Sequence, residues 1–186
     1  KEQRFSEASE HLENIFRRDP GYIFGRLLKA QIQMTDGEPE EALDELKRLR
    51  ELYPKSPVTE LYLAKAYLWN AIPSQARAAL NRAIGLQPDY REAIILLAQL
   101  DLRAGNPEPV VTSMENELRK SPGLSQLQFI LAEAYRSSGR LDAALNILDG
   151  QIEANAESFN AHVFRGMILK QQAKNNEARE AFEKAQ

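Results

Sequence analysis

The chain contains no cysteine, so disulfides and thiol chemistry are excluded while the compartment is left open. Histidine is nearly absent as well: His11 and His162 are the two present. They stand four repeats apart and neither has a Glu-x-x-His type partner, so a shared metal is not expected. No apolar run approaches the roughly 18 residues of a membrane span. No secretory leader is visible. There is no glycine-rich phosphate loop, since Gly21, Gly25 and Gly37 have the wrong spacing and context. Net charge is -3, without the basic stripe that nucleic-acid binding demands. Carboxylate pairs such as Glu40-Glu41 and Asp44-Glu45 fall at the start of a predicted helix, where they favour its positive end. They read as solvated faces rather than as the partly dry site that catalytic carboxylates need. An enzyme, a metal and a cofactor are therefore not expected.

What is present is a period. Pro20, Pro54, Pro88 and Pro122 lie 34 residues apart with nothing inserted or deleted. Frames starting at Ile23, Pro57, Arg91, Ser125 and Phe159 keep three further columns in phase. The eighth column reads Ala30, Ala64, Ala98, Ala132 and Gly166. The twentieth reads Ala42, Ala76, Val110, Ala144 and Ala178, preceded by Ala8. The twenty-fourth reads Leu46, Leu80, Met114, Leu148 and Phe182, preceded by Leu12. Small residues at two columns and large apolar ones at a third are poorly explained by chance. A 34-residue period is the length of one two-helix solenoid unit.

Each unit reads as helix A, a turn and helix B. Leu61, Leu63, Ala64, Tyr67 and Leu68 give the i, i+3, i+4, i+7 stripe of a helix. Pro39, Pro73 and Pro107 share one column, the first turn of helix B, where a missing N–H costs nothing. The prolines of the opening column stop helix B. Gly37, Gly105 and Gly139 mark the A–B turn, where positive φ is cheap for glycine. The third repeat departs most: Pro109 joins Pro107, and Asp101 stands where a tyrosine is usual. Glu117, and Gln151 in the fourth repeat, fall where a small apolar residue is expected. Leu118 and Ile152 then take over the buried role if helix B rotates slightly. Local drift and a change of curvature are both open readings.

The residues Leu63-Ala64, Tyr67, Ala76, Leu80, Ala83 and Pro88, and again Leu131-Ala132, Tyr135, Gly139, Ala144 and Leu148, resemble the tetratricopeptide repeat family. The resemblance covers the whole chain. It implies an all-α fold, a right-handed α-solenoid (superhelix) of antiparallel helix pairs with 34-residue repeats. Residues 1–186 form a single array on this reading: a partial repeat over 1–22, full repeats over 23–56, 57–90, 91–124 and 125–158, and an incomplete fifth over 159–186. The chain starts at Lys1 without a methionine and inside a helix B, so a segment of a longer array is expected.

The resemblance also implies that helix A lines a concave groove through columns two, five, six, nine, twelve and thirteen. Column six is apolar throughout: Leu28, Tyr62, Leu96, Ile130 and Phe164. It either faces the groove or packs against the next helix A. Phe24, Val58, Met34, Leu68 and Trp69 add apolar surface, and Gln31, Gln99 and Glu133 fall on column nine. Tyr62, Lys65 and Trp69 follow i, i+3, i+7 spacing and share one helix face. Arg103, Arg136 and Lys170 give a mildly basic end. His162 is expected as a partly exposed packing residue, and Trp69 either as an anchor or as a cover for the turn at Ile72-Pro73.

The columns where chaperone-tail binders carry a polar clamp hold Leu27, Gln31, Tyr62, Glu92 and Leu96. One repeat further on they hold Leu61, Lys65, Leu96, Gln126 and Ile130, so that clamp is not expected. The expectation is a non-enzymatic scaffold that binds a peptide or partner helix, with Tyr62, Trp69 and Phe164 as anchors and Lys65, Arg103 and Arg136 setting orientation. Three other readings remain open. One is self-association through terminal repeats, and another is a regulatory arm of a larger enzyme. The last is an assembly protein of bacterial surface or polysaccharide-export systems, which the Leu/Ala-rich stretch from Ile94 to Gly105 resembles.

Overall fold

Two backbone turns, repeated at the same interval as the prolines, set the path of the chain. The computed structural model describes residues 11–19 and 21–185, so Ala8 and Pro20 lie outside the described residues. The chain divides into two compact units, one running to Leu97 and the other starting at Ala98. The division falls inside a helix. Among the described residues the secondary structure is helical, with no strand.

The first unit contains α1 (residues 11–18), α2 (Ile23–Asp36), α3 (Pro39–Leu52), α4 (Pro57–Trp69), α5 (Pro73–Leu86) and the first half of α6 (Arg91–Arg103). Here α2 packs on α3 and α4, and α4 packs on α3 and α5. The second unit contains the rest of α6, then α7 (Pro107–Lys120), α8 (Ser125–Ser137), α9 (Leu141–Ala154), α10 (Phe159–Gln171) and α11 (Asn175–Glu183). In it α8 packs on α7 and α9, and α10 packs on α9 and α11. Each A–B connection is too short for anything but an antiparallel neighbour.

The A–B turn closes the same way five times. The backbone N–H groups of Glu38, Ile72, Asn106, Arg140 and Lys174 donate to the carbonyls of Gln33, Tyr67, Asp101, Tyr135 and Leu169, at 2.8–2.9 Å. This is the six-to-one bond of a Schellman motif, which requires a left-handed residue just before the donor. Gly37, Gly105 and Gly139 supply it with φ of 87°, 76° and 78°. Ala71 and Ala173 occupy the same column and adopt φ of 57° and 61° despite their Cβ atoms. The turn geometry thus overrides residue preference in the second and fifth repeats.

The B–A turn is a β-turn. Ser56, Tyr90, Leu124 and Ser158 donate their N–H to the carbonyls of Tyr53, Gln87, Ser121 and Asn155, at 3.0–3.4 Å. Pro54, Pro88 and Pro122 sit at its second position, where their fixed φ is already suited. Pro39, Pro73 and Pro107 open α3, α5 and α7 as the spacing predicts.

The in-phase columns form the core. Ala30, Ala64, Ala98 and Ala132 are buried, as are Ala42, Ala76, Val110, Ala144 and Ala178, and Leu46, Leu80, Met114 and Leu148. The fifth repeat exchanges sizes. A Cβ built on Gly166 stands 2.6 Å from the Phe182 ring, so glycine there makes room for the larger aromatic.

Leu118 and Ile152 do not take over the buried role in the third and fourth repeats. Glu117 and Gln151 stay buried, while Leu118 and Ile152 are half-buried. Polar partners make this tolerable. The Glu117 carboxylate accepts from Lys120 Nζ at 2.6 Å. The Gln151 amide donates to Gln128 Oε1 at 2.7 Å and to the Ser125 carbonyl at 3.2 Å. A buried polar group so paired avoids the desolvation cost that would otherwise turn the helix. Glu60 is buried in the same manner against Arg82, 3.0 Å away.

Two stability measurements check this account. Ala71→Gly is expected to raise unfolding free energy by about 0.5–1 kcal/mol, because relief of left-handed strain exceeds the added chain entropy. Gly105→Ala is expected to lower it by a similar amount, and urea titration of both variants reads the difference. Gly166→Ala is expected to cost about 1–3 kcal/mol by overpacking. Combining it with Phe182→Leu should recover most of that loss, a coupling visible in a thermal double-mutant cycle.

Candidate functional site

The first unit carries an open cleft of about 350 Å³ between α2 and α4. Gln31, Met34 and Thr35 line it from α2; Tyr62, Lys65, Leu68 and Trp69 line it from α4. Local sequence explains the α4 face. Ser56 caps the helix, its Oγ accepting from the Thr59 N–H at 3.3 Å, and Pro57 pre-sets the first turn. The 3.6-residue period then stacks Tyr62, Lys65 and Trp69 on one side, while Leu61, Leu63, Ala64 and Tyr67 are buried. Trp69 closes the helix and remains 57% exposed. The next residue, Asn70, ties the end of α4 to the start of α3, donating from Nδ2 to the Pro39 carbonyl at 3.1 Å and to the Ala66 carbonyl at 2.9 Å.

The polar atoms of the cleft hold one another in place. The Tyr62 hydroxyl donates to Gln31 Oε1 at 3.4 Å. Lys65 Nζ lies 4.9 Å from the centre of the Tyr62 ring and 2.7 Å from Glu92 Oε1. Tyr90, nearby, has its phenol pKa raised first by burial and then by the charge of Glu92.

Four of the sequence-predicted residues, Gln31, Tyr62, Lys65 and Trp69, therefore meet in one cleft, joined by Met34 and Leu68. Thr35 was not singled out by sequence. It follows Met34 in column thirteen, the column that also holds Trp69, and that shared register was the available signal. Phe24 and Leu28 lie on α2 outside the cleft and are 60% and 46% exposed. Column five of the first two repeats is core, since Leu27 and Leu61 are buried. Leu96 is half-buried on α6.

In the second unit the predicted residues are dispersed. Gln99 and Arg103 are exposed on α6, and Lys170 is exposed on α10. Ile130 is only 9% exposed, and Phe164 packs against the core built from Ala144, Leu148, Ala161 and Ile168. Arg136 grips Glu133 through two hydrogen bonds of 2.6 and 2.8 Å and reaches Gln171 at 3.5 Å. That pairing raises the guanidinium pKa further and neutralises part of the expected basic end. Column six is thus open at Leu28 and packed at Ile130 and Phe164.

His162 departs from the expected partly exposed state. It is 4% exposed, and its Nε2 lies 2.8 Å from the Ala156 carbonyl, which satisfies the ring where an apolar residue is usual. Glu45 also departs from the solvated reading. It is half-buried and pairs with Arg26, whereas Glu40, Glu41 and Asp44 are exposed as expected. Among the described residues no group of three or more histidine or carboxylate side chains is placed to hold a metal. Among them, too, no helix is long and apolar enough to cross a membrane.

Two tetratricopeptide repeat family models match the chain, over residues 1–66 and 159–186, together half of its length. The beta-barrel assembly-enhancing protease of Escherichia coli K12 is 28% identical over 145 residues, which is 78% of this chain. The chain spans only 26% of that curated relative's length. Among solved structures, a tetratricopeptide repeat protein from Parabacteroides merdae superposes with a TM-score of 0.82 at 18% identity, over 98% of this chain and 73% of that one. YrrB, described as a TPR protein with an unusual peptide-binding site, superposes with a TM-score of 0.72 at 14% identity, over 94% of this chain and 90% of that one. At these identities the structural likenesses establish the fold.

The exposure of Trp69 is directly measurable. As the only tryptophan in the chain, it is expected to emit at a solvent-like wavelength and to be quenched efficiently by acrylamide. A blue-shifted, protected emission would place it in the core instead.

Proposed function

Because the chain belongs to the tetratricopeptide repeat family, we propose that it is a non-enzymatic interaction scaffold whose α2–α4 cleft receives an extended peptide or a partner helix. The observation that carries this reading is the aromatic surface left open there at Trp69. Trp69 is mostly exposed beside Tyr62, Met34 and Leu68, and Phe24 and Leu28 extend apolar surface along α2. Tryptophan and tyrosine are the residue types that dominate binding energy when a partner desolvates them. Four side chains of the cleft come from one helix face, so the site rests on a rigid element rather than a loop.

A second reading is favoured by one observation. The similarity to the protease of Escherichia coli covers a 26% segment of that protein, so a recruiting arm attached to a larger enzyme would use the same cleft for the same purpose. In both readings the repeats bind and the chemistry lies elsewhere.

Trp69→Ala tests the cleft. Binding of peptide ligands selected on the wild-type protein is expected to weaken by at least about 2 kcal/mol, roughly thirtyfold. The melting temperature should move by no more than about 2 °C, because the side chain removed is exposed. A large drop in melting temperature with unaltered binding would assign Trp69 to the core and end this reading.

A further inference from the structure

The seven side chains that line the α2–α4 cleft include one cation, Lys65, and no carboxylate. In a chain whose net charge is -3, that is a local reversal of sign. Lys65 is held over the Tyr62 ring and bonded at its ammonium to Glu92, a residue of α6 that does not line the cleft. The pair is surface-accessible: the Lys65 and Glu92 side chains retain 35% and 57% of their exposure. Exposed pairs of this kind are weak, and a better-placed carboxylate replaces one at little cost. Glu92 is therefore an exchangeable occupant of the ammonium.

The spacing of the cleft defines what replaces it. Lys65 and Trp69 are four residues apart on one helix, so their Cα atoms are separated by about 6 Å along the axis. An extended chain advances about 3.3 Å per residue and presents every second side chain to the same face. Two residues of strand thus match the Lys65–Trp69 interval. A terminal carboxylate is an inferior fit, since its capture draws on several converging donors and this cleft offers a single ammonium.

Resting on the cleft-binding reading above, we propose that the occupant is an extended peptide segment of the form large apolar–any–Asp or Glu, in either direction. Its apolar side chain lies against Met34, Leu68 and Trp69. Its acidic side chain takes the place of Glu92 on Lys65. The Lys65–Glu92 pair then acts as a built-in competitor that lowers the affinity for acidic segments and leaves that for neutral ones unchanged.

The test uses the intrinsic fluorescence of Trp69 in the whole chain, titrated with blocked peptides up to about 1 mM. The probes are acetyl-Ala-Leu-Ser-Glu-Ala-amide, its reversed order, its glutamine counterpart, and acetyl-Ala-Leu-Glu-Ser-Ala-amide, which moves the acid to the opposite face. A free-acid acetyl-Ala-Leu-Ser is the terminal-carboxylate control. One order of the spaced glutamate peptide is expected to bind about five- to tenfold more tightly than the glutamine and adjacent-acid peptides. Glu92→Gln should strengthen the glutamate peptide about threefold and leave the glutamine peptide unchanged. Lys65→Met should abolish the preference while retaining glutamine-peptide binding. Equal binding of glutamate and glutamine peptides overturns the charge assignment and leaves the cleft reading standing. Tighter binding of the free-acid control overturns the side-chain assignment. Binding by none of the probes overturns the cleft reading together with this one.

Discussion

The close approach of helix A to helix B is the constraint on which the rest depends. It is made by small residues at two columns, such as Ala64 and Ala76 in the second repeat, both fully buried. With backbones this near, the large residue of the third column, Leu80 in that repeat, fills the remaining space. The fifth repeat shows that the constraint is on summed volume rather than on identity. Gly166 gives up a methyl and Phe182 takes the space. Because the pairs are packed at fixed distance, the two turns that join them must have fixed geometry too. Ala71 and Ala173 accept left-handed backbone to preserve it.

The same rigidity creates the cleft. A stack of helix pairs buries one stripe of each A helix and leaves the neighbouring columns at the surface. In the first unit those columns carry Trp69 and Tyr62 above a packed floor that includes Met34, Leu61 and Leu63. The polar groups of the cleft are engaged, Tyr62 with Gln31 inside it and Lys65 with Glu92 of α6 outside it, which orients them without withdrawing them from solvent. The proposed role as a binding scaffold follows from that combination of rigid base and open apolar wall.

Buried polar residues are the second theme. Glu60, Glu117, Gln151 and His162 all occupy places where an apolar side chain would fit, and each has a partner close by. Substituting a polar residue into a helical stripe invites the helix to rotate and expose it. Here a short hydrogen bond is cheaper than rotation, because rotation would also turn Leu148 or Met114 out of the core. The partners of Glu60, Gln151 and His162 come from other helices or turns, 22, 23 and 6 residues distant, so local sequence spacing does not reveal them.

The sequence by itself determined the helix pairs, their turns and the core columns, because each of these is enforced by local chemistry repeated every 34 residues. Proline position, turn glycine and small–large alternation are readable one repeat at a time. It also brought Tyr62, Lys65 and Trp69 to one face, since helical spacing alone does that. Only the tertiary structure decided which members of a surface column stay open. Leu28 is exposed whereas Ile130, in the same column, is buried, although both are branched apolar residues. Exposure depends on what the neighbouring helix places against a side chain. That neighbour varies from repeat to repeat while the register does not.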